Sequence, residues 1–411
     1  MLRLLSQSVL VTLVVIAGLL AVTRGSGARQ GNADQAANTR LAAAHNAFGF
    51  KLFSALRGEP GTENLFISPS SVAFALAMTW NGAAGPTRES MSRALELGGM
   101  DLDQVNQASL SLKTALGQAD PTVELHIANS LWAKQGLEFK PDFMERNRQF
   151  FKAEVTELSF SDPGATARIN NWVSQNTSGK IDKIIDRIDS NSILFLINAI
   201  YFKGKWTIKF QQEQTTQRPF TLASGTEKQV PMMRQAGEYQ YVETPDFQAI
   251  SLPYGNKRWN LRVFLPSANR NLSQFLESLT ASNWDSWMRS FRKREGEILL
   301  PRFRVEYEKE LNEALKALGM NDAFDQSRAD FSAMIQSAER AFINQVKHRT
   351  FVEVNEEGTE AAASTSVGVS VTSYQEPTPP FRMEVNRPFF CAIRDDQSGA
   401  LLFLGAIGNP K

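Results

Sequence analysis

The sequence predicts one large α+β domain, and three observations carry that expectation. Strand-like alternation and helix-like spacing both recur along the chain. No separable linker and no repeat period occurs after about residue 40, although 411 residues would suffice for two or three average domains. Hydrophobic residues make up 42% of the chain, with 27 Phe and 7 Trp, enough to fill a large core. The 44 basic and 43 acidic residues leave a net charge of +1, so no strong charge attraction to nucleic acid or membrane follows.

Taken in order, Asn38 can cap a helix carrying Leu41, Ala44, Phe48, Leu52 and Leu56 and closed by Gly58. In NLFISPSSVAFALAMTWNGA, Ser68 stands at a cap position and Pro69 in the first turn of a helix that is apolar nearly all round. Such a helix must be buried. VELHIANSLWA and FKAEVTELSF alternate like strands, and FKPDFMERNRQF between them is helical. TARINNWVSQNTSGKIDKII sets Ile169, Trp172 and Val173 on one face before Gly179.

ILFLINAIYFKGKW is apolar from Ile193 to Phe202 except at Asn198, which predicts a strand covered on both faces. Asn198 then needs a partner, because an unpaired buried amide costs roughly 1 to 3 kcal/mol. Short strands follow in FTLASGTEKQVPMM and WNLRVFLP, and LSQFLESLTASNWDSWMRSF is helical. EILLPRFRVEY reads as a strand leading into EKELNEALKALGM, where Leu311, Leu315 and Leu318 share a face before Gly319. The chain ends in two apolar strands joined by the turn DDQSG.

Arg3, an apolar stretch from Val9 to Val22 and a small polar segment have the layout of a secretory signal peptide. The apolar core is shorter than the roughly 18 to 20 residues of a spanning helix. The expectation is therefore a signal over 1–28 cleaved near Ala28, a flexible segment over 29–39 and a domain over 40–411, with an uncleaved anchor as the other reading. Cys391 is the single cysteine, which excludes an intramolecular disulfide and fits buried packing better than nucleophilic chemistry.

The stretch Glu356–Ser373, EEGTEAAASTSVGVSVTS, alternates in steps of two. Thr359, Ala361, Ala363, Thr365, Val367, Val369 and Val371 fall on one side. Its first half is Gly, Ala, Ser and Thr, and it runs into Pro377, Pro379 and Pro380, which block ladder hydrogen bonds. It reads either as a Ser/Ala-rich linker or as a tether in one state and a sheet strand in another.

EEGTEAAAST preceded by VKHRTFVEVN resembles the hinge of the serpins. The Ser68 helix, ILFLINAIYFKGKW and the C-terminal strands resemble the same family, and the likeness covers nearly the whole chain beyond residue 40. It implies about three β-sheets, roughly nine helices and an exposed reactive loop over about 356–381. It also implies a hinge of Glu356, Glu357, Gly358, Thr359, Glu360, Ala361, Ala362, Ala363, Ser364 and Thr365. A polar cluster below the sheet centre would comprise Asn64, Ser68, Ser71, Asn198 and His348. Trp206 would mark the sheet top where insertion begins, and Arg302 would pair with Glu356.

In that family the attacked bond lies about fourteen residues after the hinge glycine, which counts from Gly358 to Thr372 and Ser373, with Tyr374 as an alternative bait. No Lys or Arg occurs from Gly358 to Phe381, which disfavours trypsin-like targets; Thr372 suits elastase-like or subtilisin-like enzymes and Tyr374 chymotrypsin-like ones. The resemblance implies an inhibitor that traps a serine protease as a covalent acyl-enzyme; with the signal-like N-terminus, the expectation is a monomeric, exported protein, secreted or, in a Gram-negative bacterium, periplasmic. No cofactor, metal or nucleic acid is expected. Lys113 is the sole basic residue over 101–119, which puts glycosaminoglycan activation in doubt. The other reading within the family is a carrier, chaperone or binding module that inhibits nothing. Catalysis is not expected, because His45, His126 and His348 lie in no nucleophile motif and no GxSxG, Walker or GxGxxG pattern occurs.

Overall fold

The computed structural model describes residues 35–57, 64–117, 120–189, 192–336, 341–359 and 379–411. The proposed signal, Gly58, and the loop residues Glu360, Ala361, Ala362, Ala363, Ser364, Thr365, Thr372, Ser373 and Tyr374 lie outside them.

Helix α1 spans 35–56 and buries Leu41, Ala44, Phe48, Leu52 and Leu56 as their spacing requires. Residues 35–39, expected in a flexible segment, already belong to it. The Gln35 amide donates to Gln397 O at 3.0 Å, and Asn38 is buried within the helix rather than capping it. Strand β1 (Asn64–Ile67) leads into α2 (Pro69–Trp80), whose cap is Ser68: its Oγ accepts the Ser71 N–H at 3.3 Å. Every residue of α2 is buried, which explains its lack of a polar face.

There follow α3 (Gly85–Ala94), α4 (Leu102–Gly117), β2 (Val123–Lys134), α5 (Pro141–Arg146), a π turn over Asn147–Phe151, β3 (Glu154–Leu158) and α6 (Ala165–Asn176). Next come β4 (Leu194–Lys205), β5 (Thr216–Thr221), β6 (Glu227–Glu243), β7 (Phe247–Pro253) and β8 (Trp259–Pro266). The segment read as one helix is two, α7 (Leu272–Glu277) and α8 (Ala281–Ser290), because Asn271 and Thr280 each cap a new start. EILLPRFRVEY is likewise two strands, β9 (Arg292–Pro301) and β10 (Phe303–Glu310), in different sheets and separated at Arg302. The rest is α9 (Asn312–Leu315), β11 (Ile343–Asn355), β12 (Gly358–Thr359), β13 (Phe381–Glu384), β14 (Phe389–Asp395) and β15 (Leu401–Ile407).

The expected sheets form two hydrogen-bonded networks. One has six strands in the order β10-β11-β12-β4-β2-β3; the other has nine, because the long β6 pairs with β5, β7 and β9 and so joins groups that would otherwise be separate. Strand β4 is the apolar run foreseen in the sequence. Leu194, Leu196, Ile200 and Phe202 face the main core, and Phe195, Ile197, Ala199 and Tyr201 face a second core with Ile169 and Val173 of α6. The sheet is thus sandwiched, and α2 runs beneath it. Cys391 is fully buried on β14, and burial pushes its thiol far up, which leaves it inert.

Candidate functional site

Strands β4 and β11 lie parallel and directly paired from Leu194↔Ile343 to Tyr201↔Phe351. Beyond that point they part, and the two residues of β12 occupy the gap. Gly358 and Thr359 pair with Asn355 and Val354 on one side and with Lys205 and Gly204 on the other. Antiparallel pairing on both flanks means that a chain continuing from Thr359 along the same line would run down between β11 and β4.

Each group at this junction is held. Gly358 has φ +145°, and a Cβ there would come within 2.1 Å of Gly204 O, so only glycine fits. Thr359 is fully buried and shares a hydrogen bond with Tyr254 Oη at 2.8 Å. Trp206 stacks on Tyr254 at 4.4 Å, and its indole N–H donates to Asn355 O at 2.9 Å. Its backbone N–H donates to Glu357 O at 3.0 Å, while Lys209 pairs with the Glu357 carboxylate at 2.5 Å.

Glu356 is 2% exposed and accepts from Arg302 Nε at 2.7 Å and from the Thr215 hydroxyl. Burial by itself would raise its carboxyl, but hydrogen bonds from Arg302 and Thr215 outweigh burial and hold it below the usual range. The break between β9 and β10 sets Arg302 at the seam of the two sheets, beside this acid. Arg302, Trp206, Glu356, Glu357, Gly358 and Thr359 therefore meet in one place. Tyr254, Gly204, Thr215 and Lys209 complete it, and nothing in their local sequence patterns singles them out.

A second cluster lies lower on the β4–β11 seam. His348 and Asn198 are register partners across the parallel pair, and Asn129 faces Asn198 from β2. The His348 Nδ1–H donates to Asn198 Oδ1 at 2.5 Å, and Nε2 accepts the Ser68 N–H at 3.0 Å. Asn198 Nδ2 donates to Ser71 Oγ and to Asn129 Oδ1, both at 2.5 Å. The buried amide thus has its partners. Asn64 does not belong here, contrary to expectation. Its side chain caps the chain end, with Oδ1 accepting the N–H groups of Gly408 and Asn409 at 2.9 Å and Nδ2 donating to Asn409 O. Asn129 was missed, though the polar pair Asn129 and Ser130 between Ala128 and Leu131 was the available signal.

His348 and His45 are both buried, and burial lowers each to about 3. Their native values lie below the ordinary value near 6.5, so between those limits the unfolded state binds more protons and stability falls as pH falls. Lowering pH from 7 to 5 is expected to remove about 4 kcal/mol through the two together. Urea midpoints at the two pH values measure this, and His45→Leu should cut the histidine loss by about half; an unchanged pH dependence in that variant would contradict the assignment.

A hinge strand seated in a parting sheet beside an acid–arginine pair matches what the sequence comparisons return. The family model described as Serpin (serine protease inhibitor) matches residues 43–410. The chain belongs to the serpin family. Serpin B9 of Homo sapiens is 36% identical over 379 residues, covering 90% of this chain and 99% of that protein. The leukocyte elastase inhibitor of Homo sapiens is 33% identical over 383 residues, covering 90% and 100%. The crystal structure of the thermophilic serpin Tengpin in its native state matches this serpin with a TM-score of 0.81 at 30% identity, covering 90% of this chain and 94% of that one. Nine α-helices occur among the described residues, as the serpin fold implies. No helix among them is long and apolar enough to cross a membrane.

Proposed function

We propose that this serpin is an exported, monomeric suicide inhibitor of serine proteases of the elastase, subtilisin or chymotrypsin kind. The protease attacks the bond after Thr372, or after Tyr374 in the alternative register, and remains attached as an acyl-enzyme. Cleavage frees the loop from its C-terminal tether at β13, and the segment from Thr359 onward enters the sheet as a strand between β4 and β11. Fourteen residues extended at about 3.3 Å each reach about 45 Å, enough to carry the enzyme the length of the sheet.

The observation that carries this reading is the seating of Gly358 and Thr359, paired on both flanks at the mouth of the β4–β11 seam. The small residues from Ala361 to Ala363 add no bulk to oppose the next steps. The hydrogen-bonded row of Asn129, Asn198 and His348 supports a seam that can open, since hydrogen bonds can exchange partners where an interlocked apolar seam cannot. The name of the related leukocyte elastase inhibitor agrees with a small residue such as Thr372 at the attacked bond.

Incubation with elastase, subtilisin, chymotrypsin and trypsin, followed by denaturing gels and sequencing of the released peptide, tests the proposal. Adducts stable in SDS are expected with an elastase-like or subtilisin-like enzyme and not with trypsin, with the cut after Thr372. Cleavage without any adduct would instead favour a non-inhibitory carrier or binding role. Recovery of the mature chain outside the cell, beginning near residue 29, tests export.

A further inference from the structure

Far from the hinge, the foot of the β4–β11 seam is closed by side chains as well as by the ladder. Ile343 pairs with Leu194 and Gln345 with Phe195, so Asn344 between them is the extra residue of a β-bulge and has no register partner on β4. Its side chain makes up the loss. Asn344 Oδ1 accepts the N–H groups of Ile193 at 2.6 Å and of Leu194 at 3.2 Å, where β4 begins. On the other flank the bulge is pinned by Asn312, the first residue of α9, whose Nδ2 donates to Asn344 O at 2.6 Å and whose Oδ1 accepts the Val346 N–H at 2.9 Å. Strand β10 ends at Glu310, so the Asn312 amide stands in for a peptide group that β10 no longer provides.

The place of this amide in the seam gives it a consequence. Thr359 stands opposite Gly204 and Val354, and ten residues further down the same two strands stand Leu194 and Asn344. A strand entering from the top replaces the β4–β11 ladder bonds as it advances. At the foot it meets a side-chain oxygen already seated on the N–H groups it needs. A pocket of about 430 Å³, with Ile185, Ser192, Phe195 and Asn344 among its lining, adjoins the amide and leaves it room to swing clear. We propose that Asn344 is a latch, which keeps the foot of the seam shut in the native chain and whose release limits complete entry of a strand between β4 and β11. Asn344 is thus a positioning residue, and the inference rests on the proposed entry of the loop.

Uptake by the full chain of a fluorescein-labelled synthetic peptide with the sequence of residues 359–372, followed on native gels, tests the latch without any protease. Two hydrogen bonds of ordinary strength correspond to a factor on the order of 10 between a shut and an open foot, so Asn344→Ala should take up the peptide about tenfold faster than the unaltered chain. Asn344→Asp keeps an acceptor oxygen in place and should stay within about twofold of the unaltered chain. Asn64→Ala, which loosens the chain end rather than the seam, should leave the rate unchanged. Asn312→Ala frees the other flank of the bulge and should also speed uptake, so the test stands even if Asn344→Ala fails to fold. Rates equal to the unaltered chain in either alanine variant of the bulge, an equal gain in Asn64→Ala, or an Asn344→Asp as fast as Asn344→Ala would overturn the latch and leave loop entry standing. No uptake by any of these chains would overturn loop entry and the latch together.

Discussion

Thr359→Arg will turn this serpin from an inhibitor into a substrate. Thr359 is fully buried between β11 and β4 with its hydroxyl on Tyr254. The carboxylates of Glu356 and Glu357 nearby are already paired with Arg302 and Lys209. An unpaired buried cation costs several kcal/mol, and the variant escapes that cost by keeping the hinge outside the sheet. If the first step of insertion is raised by about 3 kcal/mol, it slows on the order of 100-fold, and hydrolysis of the acyl-enzyme then finishes first. The readout is a gel in which cleaved serpin accumulates and the SDS-stable adduct disappears, with Thr359→Ser retaining the adduct. An unchanged adduct yield from Thr359→Arg would sink the insertion path through Thr359.

Asn198→Ala is expected to cost about 2 to 6 kcal/mol of stability, the second large effect. The side chain joins Ser71, Asn129 and His348 in a row with no exposure at its centre. Because His348 Nε2 accepts from Ser68, its proton sits on Nδ1, and without Asn198 that donor has no acceptor. Asn129 Oδ1 loses its donor as well. Each orphaned buried group costs about 1 to 3 kcal/mol. Urea unfolding at pH 7 measures the loss; a change under about 0.5 kcal/mol would mean that the row does not hold the two strands together.

Much of this was legible in the chain. Ser68 and Pro69 announced the start of α2, the run from Ile193 to Phe202 announced a doubly covered strand, and Asn198 announced a buried polar partner. The errors share a cause. Asn38 has the chemistry of a cap, yet contacts reaching as far as Gln397 extend the helix beyond it. EILLPRFRVEY reads as one strand interrupted only by Pro301, and only the fold shows that Arg302 separates two sheets. Asn64 is the first residue of β1, and only the fold brings Gly408 and Asn409 to it.

By itself the amino-acid sequence determined the Ser68 cap of α2, the doubly covered strand β4, the glycine at the hinge and the absence of a cation in the loop. These are properties of neighbouring residues, written in spacing and side-chain type. Only the tertiary structure decided that β11 and β4 part at Phe351 and Tyr201, that Gly358 and Thr359 enter there, and that Tyr254 and Arg302 wait beside them. Those pairings join residues 100 or more positions apart for Tyr254 and Thr359. Long-range strand register follows from how whole faces pack, which no local period encodes.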